Sequence, residues 1–310
     1  MKSLEKCEIC GEKNFVFLFE EEDKNLSILG KFKLYQCKNC GLIFLNPQPT
    51  YKEFEKYYPK KEYYSLQGID KNSSKTKLKL FLYSLYFNTE NRNYFLKFMF
   101  LPIKFMIRGT IIKKNEKILD VGSGAGQFLY EMKKLGLKVY GVEPGEFNEK
   151  ENEKLNIEKS DLIGAKFKGE FFELITMNHV LEHITNPRET LKEIHRILRR
   201  KGIFIVGVPN YNSLAYKMFG KNWYQLDVPR HLSNYSEKIL KKLLIEEKFR
   251  VVKIRYNSRP SQFVVSMEYL FEKRFGKFMK GFLTIVFLPL TWLVNLLKRG
   301  DQMEIWCEKK

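Results

Sequence analysis

Acid, histidine and cysteine are all scarce in this chain. Thirty-six Asp and Glu face 55 Lys and Arg, a net charge of +19, and there are four histidines and five cysteines. Five cysteines are too few for a disulfide-built scaffold. The charged amino end also lacks the apolar run of a secretory leader, so the chain is expected on the cytosolic side, where thiols stay reduced. Four of the cysteines then need another role. They form two pairs, Cys7-x-x-Cys10-Gly11 and Cys37-x-x-Cys40-Gly41, with 26 residues between them. A Cys-x-x-Cys-Gly turn points two thiolates at one metal, and two such turns make a closed tetrahedral zinc ribbon with a structural role. A redox dithiol is the alternative. The fifth, Cys307, lies in an apolar stretch at the carboxyl end and is expected to be a buried thiol.

Another absence is more telling. The apolar run Ile118-Leu119-Asp120-Val121 enters Gly122-Ser123-Gly124-Ala125-Gly126, but a dinucleotide fingerprint would put its third glycine at position 127, which is Gln127. Asp120 stands two residues before the first glycine, where its charge would repel a pyrophosphate but suits a ligand with a cationic amino-acid end. The amphipathic segment Gln127 to Leu135 and the apolar run Lys138 to Val142 follow. Glu143 then stands at the distance usual for gripping ribose hydroxyls. A ligand with ribose, ammonium and sulfonium but no phosphate fits this set: S-adenosylmethionine (SAM). A general dinucleotide pocket is the competing reading. With 44% apolar residues, the chain can build a real core, large enough for one large domain and a small one.

The acidic glycine loop at Asp120, Gly122, Gly124 and Gly126, together with Glu143, resembles the first two motifs of the class I SAM-dependent methyltransferases. More of the chain fits that frame. Phe172–Met177 looks like the fourth strand of the family, and Asn178 and His179 start the loop that contacts the methionine part of SAM. Gly202–Asn210 looks like the fifth strand, and Phe249–Tyr256 with Gln302–Cys307 like the antiparallel pair at the sheet edge. The resemblance implies an α/β fold with a Rossmann-like seven-stranded sheet, a small amino-terminal zinc ribbon and helical apolar insertions. The expected boundaries are a ribbon over 1–50, a basic aromatic helical cap over 51–114, the SAM-binding core over 115–256, a basic apolar insertion over 257–300 and a last strand over 301–310. Glu173 departs from the family, which usually has Asp there. The adenine contact is hard to place in the charged stretch 150–170, where Asp161 is a weak candidate. Methyltransferases of bacterial sugar and glycan pathways often begin with such a ribbon, and Cys40–Pro49 looks like their ribbon-to-linker segment.

The positive charge is concentrated. Residues 60–114 hold twelve bases and three acids and residues 236–300 fourteen and five, whereas 115–235 hold eighteen and sixteen. Both basic segments are also rich in apolar and aromatic residues, the first from Phe81, Tyr83, Tyr86 and Phe87 to Phe95, Phe98, Phe100 and Phe105. In the second, Lys273, Arg274, Lys277 and Lys280 precede the charge-free run Gly281–Leu297, and Lys298-Arg299 follow. A helix of that length reaches about 26 Å, short of the ~30 Å hydrocarbon core, and Pro289 interrupts it. Because the last strand must rejoin the sheet, both ends of the run stay on one side. A kinked helical hairpin in the inner leaflet, with its bases against anionic lipid, is the expected arrangement. A helical cap on the core or a dimer face is the alternative; a nucleic-acid groove is disfavoured because long aliphatic runs track phosphates poorly.

Methyl transfer to a neutral hydroxyl or activated carbon needs a base. His231, in Trp223–Ser236, falls in what resembles the family's variable acceptor-facing loop. Glu182 and His183 follow the fourth strand. These three are the candidate catalytic residues, with Tyr224 and Arg230 as further acceptor contacts; His195 is expected at the surface. The expected activity is SAM-dependent methylation of oxygen or carbon on a glycan, lipid-linked or other envelope precursor at the cytoplasmic membrane face. RNA or a soluble sugar nucleotide as acceptor, and a non-catalytic scaffold, stay open.

Overall fold

The computed structural model describes residues 1–50, 53, 55–58, 69–70, 73–74, 76–81, 115–145 and 153–310. Most of the cap expected over 51–114, with all its aromatic residues except Tyr57, Tyr58 and Phe81, lies outside them. The chain divides into two compact units. One comprises Met1–Glu62, Met177–Arg196 and Ile203–Lys310; the other comprises Tyr63–Thr176 and Ile197–Gly202.

Strands β1 (Phe15–Glu21), β2 (Phe32–Cys37), β3 (Ile43–Leu45) and β9 (Ser233–Asn234) form an antiparallel sheet in that order. The last of these comes from the loop that carries His231, so the amino-terminal sheet is completed by a distant segment. Its apolar face does not close on itself. Phe32, Leu34, Ile43 and Leu45 share one core with Trp223, Leu226, Val228 and Leu232, and with Phe263 and Val294. A sheet this small buries too little by itself, and the added aromatic and aliphatic surface supplies what it lacks.

The second sheet has seven strands. In chain order they are β4 (Lys117–Val121), β5 (Lys138–Val142), β6 (Ile157–Glu158), β7 (Phe172–Asn178), β8 (Leu198–Pro209), β10 (Phe249–Tyr256) and β11 (Gln302–Lys309), and across the sheet they run β10-β11-β8-β7-β4-β5-β6. Strands β4, β5 and β6 pair in parallel, whereas β11 is antiparallel to both β8 and β10. Inner strands read as near-continuous apolar runs because both faces are covered: Ile118, Leu119 and Val121 of β4 are all buried. The expected edge pair is present. Strand β8 begins four residues earlier than expected, directly after helix α2 (Pro187–Ile197).

Helix α1 (Gln127–Lys134) leads into β5 and buries Leu129 and Met132. Helices α3 (Leu214–Phe219) and α4 (Glu237–Glu246) start on serine caps, with Ser213 Oγ accepting from the Tyr216 amide and Ser236 Oγ from the Ile239 amide. Between β10 and β11 stand α5 (Ser261–Leu270) and α6 (Lys277–Leu296); the apolar run expected to be interrupted at Pro289 is instead one helix that continues through it, since Pro289 removes one internal hydrogen bond and the apolar turns on either side carry the helix past it. Phe287 stacks on Phe263 at 5.0 Å, and Thr291 and Val294 are buried on the same stripe of α6. The opposite side is bare: Phe278 is 88% exposed, Ile285 69% and Trp292 68%.

Candidate functional site

The unit built on β4, α1 and β5 holds the glycine loop. Gly122, Gly124 and Gly126 all lie at positive φ, 69°, 53° and 84°, where side chains are strained, so each is required by the backbone it serves. The Gly122 and Ser123 amides donate to the Val142 carbonyl, pinning the loop to the end of β5. Glu143 follows directly. Its two oxygens accept from the amides of Gly124 (2.8 Å) and Gly145 (2.9 Å), and burial holds its carboxyl above the usual range. Asp120 is buried and accepts from Thr176 Oγ1 at 2.5 Å. Loop and strand pack so closely at Gly141 that an added Cβ would stand 2.7 Å from Leu129 and 2.8 Å from Ser123 Oγ. Ser123 Oγ itself is buried without a hydrogen-bond partner among the described residues. Two carboxylates on a bare glycine loop are acceptors suited to ribose hydroxyls and an ammonium group, and SAM presents both. Asp161, exposed, accepts from the Gly164 amide. Glu173 ties down the start of β4 by accepting from the Lys117 amide at 2.7 Å, and it also pairs with Arg199.

In the other unit, β7 ends at Asn178. Its Oδ1 fills the space beside Gly207, where a Cβ would come within 2.4 Å. His179 takes up φ 55°, in the left-handed region that few non-glycine residues enter, while its amide donates to the Gly207 carbonyl. The turn Leu181–His183 then brings Glu182 and His183 beside His231, with one donor atom from each within 4.8 Å of the others. The sequence offers the adjacent Glu182 and His183 and, apart from them, His231, and the fold makes the three one cluster. The His183 and His231 rings meet edge to face, centroids 4.7 Å apart. Glu182 is 1% exposed, and His179 Nδ1 donates to its Oε1 at 3.2 Å. Burial alone would raise this carboxyl, but His179, His183 and His231 outweigh it and hold it ionised. Burial, reinforced by His231, pushes His183 down to about 4, so that ring is neutral.

Three residues that sequence reasoning passed over support this cluster. The Tyr58 hydroxyl lies 2.8 Å from His183 Nδ1. Asp227 stands 3.9 Å from His231 Nε2 and 2.6 Å from Arg230 Nη2. Asp23 grips Arg230 with both oxygens, at 2.6 and 2.8 Å, and both side chains are fully buried. Arg230 is therefore a structural ion, not an acceptor contact: its guanidinium is consumed by two carboxylates. The only trace of this in the sequence is the spacing of Asp227, Arg230 and His231, three and four residues apart. The Tyr224 hydroxyl accepts from Gln225 Nε2. His195 is half-buried against Phe249 rather than at the surface, because α2 lays it over the β10 end of the sheet.

The four cysteines also converge. Cys7 and Cys40 Sγ are 3.6 Å apart, Cys10 and Cys37 Sγ 3.5 Å, and all four lie within 4.8 Å of one another. Four sulfurs bound about 2.3 Å from one zinc sit about 3.8 Å apart, so the donor set fits that ion. Each turn closes alike, with the Gly11 amide donating to the Cys7 carbonyl and the Gly41 amide to the Cys37 carbonyl. Arg188 of α2 caps the first turn at the Ile9 carbonyl and pairs with Glu246 and Glu247. Cys307 is fully buried in β11, which pushes its thiol up to about 12.

The model of the methyltransferase domain matches residues 91–254, more than half of the chain. The chain belongs to this methyltransferase domain family. An uncharacterized protein of Methanocaldococcus jannaschii is 32% identical over 102 residues, 33% of this chain and 48% of that protein. A ubiquinone biosynthesis O-methyltransferase of Ruegeria pomeroyi is 26% identical over 110 residues, 33% of this chain and 44% of that protein. The chain thus spans about half the length of the curated relatives it matches. Among solved structures, a SAM-dependent methyltransferase of Archaeoglobus fulgidus has 21% identity and a TM-score of 0.45, covering 70% of this chain and all of that one. In the methyltransferase domain of this chain, the matched span includes the glycine loop, Glu143 and the Glu182–His183–His231 cluster.

Proposed function

We propose that this chain is a SAM-dependent methyltransferase acting on an oxygen or carbon of a glycan, lipid-linked or other envelope precursor at the cytoplasmic membrane face. The observation that carries the reading is the left-handed glycine loop tied to Glu143, inside a methyltransferase domain. When bound, SAM supplies an electrophilic methyl group on a sulfonium. Asp120, Gly122, Gly124, Gly126 and Glu143 would hold it: Glu143 at the ribose hydroxyls, the bare glycine backbone against the nucleoside and Asp120 at the cationic end. Asn178 and His179 are assigned to the same ligand on the family resemblance. Acceptor chemistry falls to Glu182, His183 and His231, which combine an ionised carboxylate with two imidazoles and so can lower the cost of removing an acceptor proton. The four cysteines would hold a structural zinc.

Two features support the membrane half. Helix α6 has a mean hydropathy of 1.5 but only 11% of it is buried, and β11 returns from it to the sheet, so it lies along a surface rather than crossing it. Lys273, Lys277, Lys298 and Arg299 flank its bare face and form no ion pair among the described residues. Arg274 and Lys280 are instead drawn to the buried Glu268, at 3.8 and 3.0 Å, and contribute less to lipid than the sequence implied. Calorimetry should show SAM binding that weakens about 10- to 100-fold in Asp120→Ala and Glu143→Ala, since each removes a charged hydrogen-bonding group. Equal binding by both variants overturns the cofactor assignment. Flotation with anionic vesicles tests the surface; a wild-type chain that stays with the soluble fraction overturns the membrane half and leaves the donor half standing.

A further inference from the structure

We infer that Glu182, His183 and His231 form a site for one divalent first-row transition metal, distinct from the four-cysteine cluster. The first observation is the tautomer of both rings. His231 Nδ1 lies 2.7 Å from the Gln225 carbonyl and His183 Nδ1 2.9 Å from the Arg230 carbonyl. A carbonyl oxygen can only accept, so each Nδ1 carries a hydrogen, which leaves Nε2 as the nitrogen that can offer a lone pair to a metal; the Tyr58 hydroxyl, 2.8 Å from His183 Nδ1, accepts there as well. Main-chain carbonyls holding the far nitrogen are the usual second shell of metal-binding histidines.

The second observation is Glu182. One oxygen is engaged by His179, while Oε2 is buried without a partner among the described residues. A buried carboxylate oxygen left bare costs free energy that a cation would return. The neighbouring cation cannot help, because Arg230 is spent on Asp23 and Asp227. Two imidazoles and one carboxylate make the donor set that suits iron, manganese, cobalt, nickel or zinc. Magnesium and calcium prefer all-oxygen shells. His231 Nε2 is 3.9 Å from Glu182 Oε1. Donors about 2.1 Å from one ion lie about 3–3.4 Å apart, so this pair needs to close by less than about an ångström, and all three donor atoms already lie within 4.8 Å of one another. Asp227 Oδ2, also 3.9 Å from His231 Nε2, offers a fourth oxygen. The site uses the same three side chains that are assigned above to the acceptor, and metal binding to them is read without any methyl transfer.

Manganese(II) is a suitable probe because thiolates bind it poorly. Full-length protein is first brought to one zinc per chain, checked by elemental analysis, and then titrated with Mn(II) while the free-ion EPR signal is followed. One Mn(II) per chain is expected, weakened at least tenfold in Glu182→Gln and in His231→Asn; retained zinc and circular dichroism report that these variants are folded. A wild-type chain that leaves the free signal intact at millimolar Mn(II) overturns the site. So does equal binding by wild type and both variants. A second measurement needs no variant: wild-type protein loaded with Co(II) after zinc should show two exchangeable, hyperfine-shifted N–H resonances, one from each Nδ1. Their absence overturns the two-histidine site.

Discussion

Arg230→Gln should be among the most destabilising single substitutions in this protein. Arg230 and Asp23 are both fully buried and share two hydrogen bonds, and Asp227 adds a third ion at 2.6 Å. Burial alone would favour the neutral guanidine, but the hydrogen bonds it donates to Asp23 and Asp227 outweigh it and hold the Arg230 pKa above its ordinary value. Removing the cation leaves two carboxylates sharing a dry space. Breaking a buried pair in this way costs about 3–5 kcal/mol. At about 2 °C per kcal/mol for a chain of this size, the melting temperature should fall by roughly 6–10 °C. The sign of the pH dependence follows from Asp227. Despite burial, its pKa is lowered by Arg230 and by His231, so its contribution is present above its ordinary value of 3.8 and fades as pH falls through the lowered folded value. The gap between wild type and Arg230→Gln, read by calorimetry or thermal circular dichroism, should therefore narrow in strong acid. Asp23→Asn/Arg230→Gln should recover part of the loss, because one stranded charge goes with the other. A loss below about 1 kcal/mol at neutral pH would refute the reasoning, since it would mean that water reaches the ions.

Two further outcomes follow from the same physics. Burial pushes the Asp301 carboxyl from 3.8 up to about 7, so the folded state holds a proton that the unfolded state has released. Wild-type stability should then drop as pH rises between those values, and Asp301→Asn should gain on it across that window, by up to roughly 4 kcal/mol above neutrality; a difference that does not change between pH 4 and 7 would disprove this. Purified protein should carry one zinc per chain, lost in Cys7→Ser/Cys40→Ser. Because the ribbon strands share a core with Trp223, Leu232, Phe263 and Val294, that loss should lower the melting temperature of the unit as a whole. A metal-free double variant that melts with wild type would separate the cysteines from the fold.

Much of the fold was legible because its signals are local. Strands β4 and β5 are short apolar runs, the left-handed loop needs glycine at three fixed places, and Cys-x-x-Cys-Gly closes its turn over five residues. The expected antiparallel edge pair and the apolar run that forms α6 were readable for the same reason, although α6 passes through Pro289 unbroken. Less legible were features that depend on distant partners. Nothing near Arg230 announces Asp23, 207 residues away, and so a buried structural ion resembled an acceptor contact. His195 looked exposed because its helix neighbours are charged, but the sheet beside it places Phe249 against its ring.

The sequence by itself determined the methyl-donor loop, the cysteine turns and the apolar run of α6, since each is specified by residues within a few positions of one another. Only the tertiary structure decided what Glu182, His183 and His231 are to each other. Forty-eight residues separate His183 from His231, and it is the hydrogen bonds of their Nδ1 atoms to the Arg230 and Gln225 carbonyls that orient the rings. Proximity and tautomer are properties of packing. A composition that merely contains four histidines and one well-placed glutamate cannot express them.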